Sequence, residues 1–260
     1  AKSAFDMALY DITAKHANQP LYQYLGGSKK TIESDLTIGI DTPENMATTA
    51  ITFKEKGVHI IKVKLGKNAI EDVERIKQIR KAIGNEIGIR IDANQGWSYE
   101  DAAMALTAMA PYSVAFCEQP MRKWNDELLP ALVALSPIPI MADESVFTHH
   151  DAARLIKQKA CDYINIKFAK SGGILEAIKI NEVAEANGIA CMMGGMLESR
   201  LALSAKVHFA MAHDNIHFYD MDTCLLGHTE DPVIGGVQFN GMHISISDAP
   251  GIGATVDPNY

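Results

Sequence analysis

Five runs of this chain share one pattern: His59-Ile-Ile-Lys-Val-Lys64, Gly88-Ile-Arg-Ile-Asp92, Val114-Ala-Phe-Cys-Glu118, Ile138-Pro-Ile-Met-Ala-Asp143 and Tyr163-Ile-Asn-Ile-Lys167. Each is a short apolar segment that ends in a charged residue, and the charged ends lie 28, 26, 25 and 24 residues apart. That interval is the length of one strand plus one crossover helix. The stretch from Lys62 to Lys167 therefore predicts successive βαβ units and a parallel sheet.

The rest of the chain completes this pattern. Strands are predicted over 35–40 before the stretch and over 189–193 and 217–219 after it, which makes eight strands separated by helices. Eight parallel strands of this kind form a (β/α)7β TIM-type barrel, whose active site lies at the carboxyl ends of the strands. We therefore expect one α/β domain with its site at the charged strand ends.

Helix starts and buried faces are also visible in the sequence. Thr42 with Pro43 is typical of a helix N-cap and first turn, and Asn68 with Glu71 resembles a capping box. The helix after Asn68 should end at Gly84. Its predicted buried face consists of Ile70, Val73, Ile76, Ile79 and Ile83.

Composition and charge exclude several classes of partner. Apolar residues make up 47% and charged residues 22% of the 260, which is ordinary for a globular protein. A net charge of −8 argues against nucleic acid and anionic membrane as partners. No apolar run reaches the 18 residues of a membrane span, because Pro111 interrupts the longest candidate, 102–117.

The four cysteines point to a compartment. Cys117, Cys161, Cys191 and Cys224 have no CxxC spacing, and we expect three of them in strands. They are interpreted as reduced and buried, which favours a cytoplasmic location. Pairing in an oxidising compartment is the alternative.

Lys62 and Lys64 are two residues apart on one strand, so both side chains should lie on the same side. At roughly 7 Å and an effective dielectric of about 20, their ammonium groups repel by about 2 kcal/mol. Such repulsion should lower the pKa of one lysine, so that it could act as a base. The alternative is a solvated surface pair, which the apolar flanks of this strand disfavour.

Asp92, Glu118 and Asp143 are hard oxygen ligands with no cysteine or histidine among them, and this set suits Mg²⁺ better than zinc. Asn94 should lie on the side of Asp92, where it could orient a ligand, and Glu144 should face away and support Asp143. A helix cap or a salt bridge is the alternative for each carboxylate taken alone.

Five motifs in this order and spacing are similar to those of the enolase superfamily, specifically its muconate-lactonizing branch. They are KVK (62–64), DANQGW (92–97), FCEQP (116–120), MADES (141–145) and NIKFAKSGG (165–173). Asp220-Met-Asp222, at the end of the eighth strand, resembles the DxD motif of the dipeptide epimerases in that branch. The resemblance covers nearly the whole chain.

The resemblance implies a mechanism in which Asp92, Glu118 and Asp143 bind one Mg²⁺, with Mn²⁺ as an alternative ion. Lys64 and Lys167 would act on opposite faces of the α-carbon at the C-terminal residue of a dipeptide. One would remove the α-proton and the other would return it, through a metal-stabilised enediolate.

Further roles follow from the same resemblance. Lys62 would hold the substrate carboxylate and tune Lys64, and Asp220 and Asp222 would accept the substrate's α-ammonium group. Glu198, just after the seventh strand, could line the pocket. A solvated loop is the alternative for the aspartate pair, and a helix N-terminus is the alternative for Glu198.

Three segments are expected from the family's organisation. Residues 1–30 would be the last helix and end of an N-terminal α+β capping domain that is otherwise absent, 31–234 the catalytic barrel, and 235–260 a segment returning toward the cap. The helix over 1–16 begins without a cap or a start methionine, which suggests an upstream domain. Assembly into a homo-oligomer is a further possibility that the sequence leaves open.

Other functions remain in competition. N-acylamino acid racemase, muconate-type cycloisomerase and o-succinylbenzoate synthase would use the same site, although the DxD pair favours a dipeptide. A barrel that binds metal without turnover should have lost one of the five charged strand ends, and none is lost. An unrelated Mg²⁺-dependent lyase or aldolase has no obvious use for two opposed lysines.

Overall fold

The computed structural model describes residues 1–226 and 229–260. Its α-helices are α1 (Lys2–His16), α2 (Leu21–Tyr24), α3 (Pro43–Glu55), α4 (Ala69–Ile83), α5 (Tyr99–Met109), α6 (Leu129–Leu135), α7 (His149–Gln158), α8 (Phe168–Ser171), α9 (Ile174–Glu185), α10 (Arg200–Ala212) and α11 (Thr223–Leu226). Short 3₁₀ helices cover Ala110–Tyr112 and Lys123–Leu128. The strands are β1 (Ile32–Glu33), β2 (Leu36–Ile38), β3 (Ile60–Lys64), β4 (Gly88–Asp92), β5 (Val114–Glu118), β6 (Ile140–Ala142), β7 (Tyr163–Ile166), β8 (Ala190–Met193), β9 (Ile216–Tyr219), β10 (Val233–Gly235), β11 (Gln238–Asn240), β12 (His243–Ser245) and β13 (Ala254–Val256).

Strands β2 to β9 follow one another in an eight-stranded sheet in the order of the chain, and helices separate them in the sequence. Every pairing described for this sheet is parallel. The predicted α/β TIM-type fold is confirmed.

The chain divides into two compact units. Unit 1 comprises Ala1–Ser34, Phe147–His150 and Asn165–Tyr260, and unit 2 comprises Asp35–Val146 and Asp151–Ile164.

In unit 2 the strand register sets which charged ends are neighbours. Lys64 is paired with Asp92 between β3 and β4, and Asp92 is paired with Glu118 between β4 and β5. A slip of one residue would turn every side chain of a strand to the other face. The buried apolar residues of β3 and β4, such as Val63 and Ile91, hold this register by packing on one side.

The helix starts of unit 2 confirm the predicted caps. The Oγ1 atom of Thr42 accepts the backbone N–H of Asn45 at 3.3 Å, and Pro43 occupies the first turn of α3. The Oδ1 atom of Asn68 accepts the N–H of Glu71 at 3.0 Å at the start of α4. Each such cap satisfies a donor that the helix cannot, and typically contributes about 1 kcal/mol.

The predicted buried face of α4 is partly wrong. Ile76, Ile79 and Ile83 are fully buried, but Ile70 is 77% exposed and Val73 is half-buried. Buried polar residues of the helix, Asp72, Arg75 and Arg80, cover part of the face instead. Apolar periodicity alone predicts that Ile70 faces inward. In the structure, polar side chains with buried hydrogen bonds occupy part of the buried face, and Ile70 lies outside it.

In unit 1, β8 and β9 are paired, and two small antiparallel sheets have the orders β1-β12-β11 and β10-β13. Helix α1 is attached to its surroundings by two carboxylates. Asp6 accepts the N–H of Ile174 at the start of α9, and Asp11 accepts the N–H of Ile252 at 2.7 Å. The C-terminal segment thus hydrogen-bonds to α1, while the predicted division into three segments stays a prediction.

The cysteine prediction needs correction. Cys117 and Cys191 lie in β5 and β8, but Cys161 precedes β7 and Cys224 lies in α11, so two cysteines rather than three are in strands. All four are free thiols. The first three are buried as expected, while Cys224 is half-buried.

None of the helices in the described part of the chain is long and apolar enough to cross a membrane.

A buried histidine makes the stability of unit 1 depend on pH. His208 lies on α10 with no exposed surface, and its Nδ1 atom accepts the backbone N–H of Tyr22 at 3.0 Å. Burial lowers the pKa of His208 to about 4. The folded state therefore holds the ring neutral, whereas an unfolded chain protonates it at a pH near 6.5.

We expect the free energy of unfolding to fall as the pH drops from about 6.5 to about 4. The folded pKa lies below the unfolded one, so the unfolded state binds more protons between about pH 6.5 and pH 4, and the loss is complete below pH 4. For this group the free energy of unfolding should fall by about 2 kcal/mol between pH 7.5 and pH 5. Urea denaturation of the wild type and of His208→Gln measures the difference. An equal loss in both proteins would contradict the assignment.

Candidate active site

The two lysines of β3 lie on the same side of the strand, as predicted. In unit 2 the Nζ atom of Lys62 lies 2.7 Å from Glu118 Oε2 and 3.2 Å from Asp92 Oδ2. The Nζ atom of Lys64 lies 2.6 Å from the same Asp92 oxygen. The side chain of Lys62 is 2% exposed and that of Lys64 is 29% exposed, so the alternative of a solvated surface pair does not hold.

The second oxygen of Asp92 is fixed by the backbone that follows β4. Its Oδ1 atom accepts the N–H of Asn94, two residues along the chain, at 2.9 Å. The side chain of Asn94 is exposed. It is therefore the backbone of Asn94 that orients Asp92.

Charge balance governs this part of unit 2. Asp92 and Glu118 have no exposed surface, and isolated buried carboxylates would be strongly disfavoured. The Lys62 ammonium supplies a positive charge that both carboxylates share. Burial raises the pKa of the neighbouring Cys117 thiol well above its usual value, and Asp92 and Glu118 raise it further. These carboxylates thus form a negative centre suited to a cation.

Asp143 follows β6 and is held by a separate set of hydrogen bonds. The Oε1 atom of Gln119 accepts the backbone N–H groups of Asp143 at 2.8 Å and of Ser145 at 3.2 Å. The Nε2 atom of Gln119 donates to Ser145 Oγ, which in turn donates to Asp126. Because Gln119 directly follows Glu118, this network connects the backbone positions of two predicted ligands.

The donor set fits Mg²⁺. Asp92, Glu118 and Asp143 are all buried carboxylates, which are the hard oxygen ligands this ion prefers. A cationic group already contacts two of them. Glu144, the next residue, is half-buried, and its predicted supporting role stays a prediction.

A buried aspartate of α4 connects the loops that follow β3 and β4. Asp72 Oδ2 accepts the backbone N–H of Gly66 at 2.9 Å and the indole N–H of Trp97 at 3.0 Å, and Arg75 pairs with Oδ1 at 2.8 Å. The loops are packed backbone to backbone, since a Cβ on Gly66 would lie 2.1 Å from Ala93 O. Asp72 therefore fixes the segments just beyond Lys64 and Asp92.

The remaining predicted residues belong to unit 1. Lys167 is buried and directly precedes the short helix α8. Asp220 and Asp222 follow β9 and are 5% and 1% exposed, which argues against a solvated loop pair. Backbone hydrogen bonds join the strand ends: Gly194 N–H donates to Ile166 O at 2.9 Å, and Asp220 N–H donates to Met193 O at 3.0 Å.

Glu198 has a partner that the sequence did not predict. Its carboxylate forms an ion pair with Lys206 of α10 and also accepts the N–H of Met196 at 3.4 Å. The side chain is 12% exposed. Its predicted contact with substrate stays a prediction.

Sequence reasoning missed Asp72, Gln119 and Lys206, although the last two left a signal. Gln119 stands inside the FCEQP motif, and Lys206 is the one lysine in the apolar run 201–212. Asp72 was hidden because an acidic residue in the first turn of a helix is ordinarily solvated. Its burial depends on the loop N–H groups that it accepts.

Comparison with known families identifies the class. The family description "Enolase C-terminal domain-like" matches residues 45–260, and "Mandelate racemase / muconate lactonizing enzyme, N-terminal domain" matches residues 1–26. The chain therefore belongs to the enolase superfamily, in the group of mandelate racemase and muconate lactonizing enzymes.

Individual relatives with known activities are similar to the chain over nearly its whole length. The chain is 45% identical to the D-Ala-D/L-Ala epimerase of Cytophaga hutchinsonii, over 100% of this chain and 71% of that protein. It is 42% identical to the L-Ala-D/L-Glu epimerase of Clostridium acetobutylicum, over 97% and 71%. A crystal structure of the Cytophaga hutchinsonii dipeptide epimerase, complexed with Mg and D-Ala-L-Val, aligns with a TM-score of 0.98 at 45% identity, over 100% and 71% of the two chains.

We expect Gln119→Met to weaken Mg²⁺ binding by about 10- to 100-fold, because the variant releases the backbone of Asp143. Isothermal titration with MgCl₂ measures the affinity without turnover. Gln95→Met is the matched control, since Gln95 also has a positive φ and its side chain accepts only the exposed Lys123 N–H among its described contacts. An equal loss in both variants would contradict the positioning role of Gln119.

Proposed function

We propose that this chain carries the site of a Mg²⁺-dependent dipeptide epimerase, an isomerase that inverts the α-carbon of the C-terminal residue. The observation that carries this proposal is the sharing of Asp92 between Lys62 and Lys64, with Glu118 on Lys62. A buried Lys62 and a partly exposed Lys64 beside buried carboxylates would supply both a base and a cation site. The similarity to two dipeptide epimerases supports the substrate class.

The mechanism needs a cation where negative charge develops. Mg²⁺, when bound, would neutralise the charge that builds on the substrate carboxylate as the α-proton leaves. Asp92, Glu118 and Asp143 would hold it. Lys62, with almost no exposed surface, would hold the substrate carboxylate in place and exclude water from that side.

Two lysines would move the proton. Lys64 would take the α-proton from one face, or return it there, while Lys167 does the reverse on the other face. Inversion requires a donor on the face opposite the base, so neither lysine can complete it alone. Lys64 is the more accessible lysine of β3, which suits direct contact with the reacting carbon.

Asp220 and Asp222 would bind the substrate's α-ammonium group. Both are buried, and two buried carboxylates favour a cationic partner. A dipeptide has this group, whereas an N-acylated amino acid lacks it. The pair therefore favours a dipeptide epimerase over an N-acylamino acid racemase. Glu198 would contribute to the pocket wall.

The cellular location and the domain organisation of the enzyme are also part of the proposal. Four free thiols support a location in the reducing cytoplasm. Residues 1–30 would be the end of a capping domain, 31–234 the catalytic barrel and 235–260 the segment returning to the cap.

If Lys64 and Lys167 are the two bases, each lysine variant should lose exchange of the α-proton from one epimer only. In D₂O, Lys64→Ala should abolish α-deuteration of one epimer and retain some exchange of the other, and Lys167→Ala should do the reverse. Removing a positioned base costs about 10²- to 10⁴-fold in rate. Both variants should stop epimerisation. Mass spectrometry of each purified epimer, with a dipeptide library as substrate, measures the exchange.

Substrate controls separate the competing functions. The wild type should exchange dipeptides and not N-succinyl amino acids, and Asp222→Asn should mainly raise KM for dipeptides. Exchange of N-succinyl substrates alone would favour the racemase. Equal loss of exchange from both epimers in each lysine variant, with Mg²⁺ still bound, would overturn the two-base assignment.

A further inference from the structure

A fully buried lysine lies on α10, in unit 1, outside the residues assigned to the reaction. Lys206 has no exposed surface, and the residues beside it, Ala205 and Val207, are buried as well. A lysine is almost never fully buried unless its ammonium group is paired. Its buried position in the helix therefore requires a specific partner.

The partners of Lys206 lie beyond the end of β8. Its Nζ atom donates to the carbonyl of Gly194 at 2.8 Å and forms an ion pair with Glu198. Gly194 is the first residue after β8, and Glu198 is in the loop that leads to α10. The ammonium group thus fixes both ends of the segment 194–198.

Gly194 in turn contacts the strand that presents Lys167. Its N–H donates to Ile166 O, the carbonyl just before Lys167. A Cβ on Gly194 would lie 2.2 Å from the side-chain oxygen of Asn165, so no larger residue fits there without a shift. The chain of contacts from Lys206 through Gly194 to Ile166 therefore fixes the end of β7 against the end of β8.

Neighbouring charges also act on the ammonium group of Lys206. Burial lowers the pKa of Lys206, and the ammonium group of Lys167 lowers it as well, whereas Glu198 and Asp220 raise it. Lys206 is therefore within electrostatic range of Lys167, Glu198 and Asp220. The Glu198 carboxylate compensates the positive charge of Lys206.

We propose that Lys206 is a positioning residue for Lys167: its ammonium group, held by Glu198 and the Gly194 carbonyl, fixes the strand end from which Lys167 emerges. The inference rests on the proposed function for the role of Lys167 as one of two bases. Lys206 would act through its contacts with Gly194 and Glu198 and not on the substrate itself. Its effect is confined to the half of the reaction that Lys167 performs.

The test compares Lys206→Met with Ser204→Ala in D₂O exchange. Ser204 is buried on the same helix and hydrogen-bonds to Arg200 O and Val237 N, so its loss loosens α10 without touching Gly194 or Glu198. One of the two epimers should no longer exchange its α-proton in Lys167→Ala. In Lys206→Met the exchange rate of that same epimer should fall by about 10- to 100-fold, as expected for a base displaced by about 1 Å. The other epimer should change no more than it does in Ser204→Ala.

A merely structural role for Lys206 would lower exchange of both epimers alike, and that result would overturn the proposal. So would unchanged exchange of both. Glu198→Gln is the second variant, in case Lys206→Met fails to fold. It weakens the hold on the ammonium group and should shift the same epimer in the same direction.

A crystal structure of whichever variant folds gives a readout independent of turnover. The Lys167 Nζ atom and the Gly194 carbonyl should both be displaced from their wild-type positions, while Lys64 stays in place. If the wild type exchanges neither epimer, the proposed function fails, yet the variant structure still decides the positioning role. Unmoved Lys167 in that structure would overturn it.

Discussion

The ammonium group of Lys62 is shared by two carboxylates, and the charge balance of the site in unit 2 depends on this contact. Asp92 and Glu118 have no exposed surface, and Lys62 lies 3.2 Å and 2.7 Å from them. Removing one partner of a buried ion pair leaves an uncompensated charge and typically costs about 3–5 kcal/mol. Lys62 therefore stabilises both buried acids, and Lys64 contributes a second contact to Asp92. The proposed metal-dependent proton transfer would use these same residues.

Each charged strand end is supported by groups that do no chemistry. Asp72 fixes the loops beyond Lys64 and Asp92, and Gln119 fixes the backbone of Asp143. In unit 1, Lys206 does the same at the end of β8. The supports are buried side chains that accept or donate to backbone groups of the loops. In the proposed reaction, such bonds would hold a reactive side chain within the small displacement that proton transfer tolerates.

The sequence predicted the strands, their order and the charged residues at their ends, because the spacing of about 25 residues follows from the length of a βα unit. It predicted that Lys62 and Lys64 share a side from the alternation of a strand. It could not predict that Asp72 is buried and Ile70 exposed, because this depends on loop N–H groups distant in sequence. The partner of Glu198 was hidden for the same reason: a lysine eight residues along becomes its neighbour only when α10 packs.

The most direct test of this account is the free energy of unfolding of Lys62→Met, measured by urea denaturation in EDTA and again in MgCl₂. In EDTA the variant should be less stable than the wild type by about 3 kcal/mol, since Glu118 and Asp92 both lose the Lys62 cation, although Asp92 keeps its contact with Lys64. Mg²⁺ should restore most of that loss by binding only the folded state. Lys77→Met, which removes an exposed ion pair with Glu74, is the control and should lose less than about 1 kcal/mol. A Lys62→Met protein as stable as the wild type in EDTA would contradict the account.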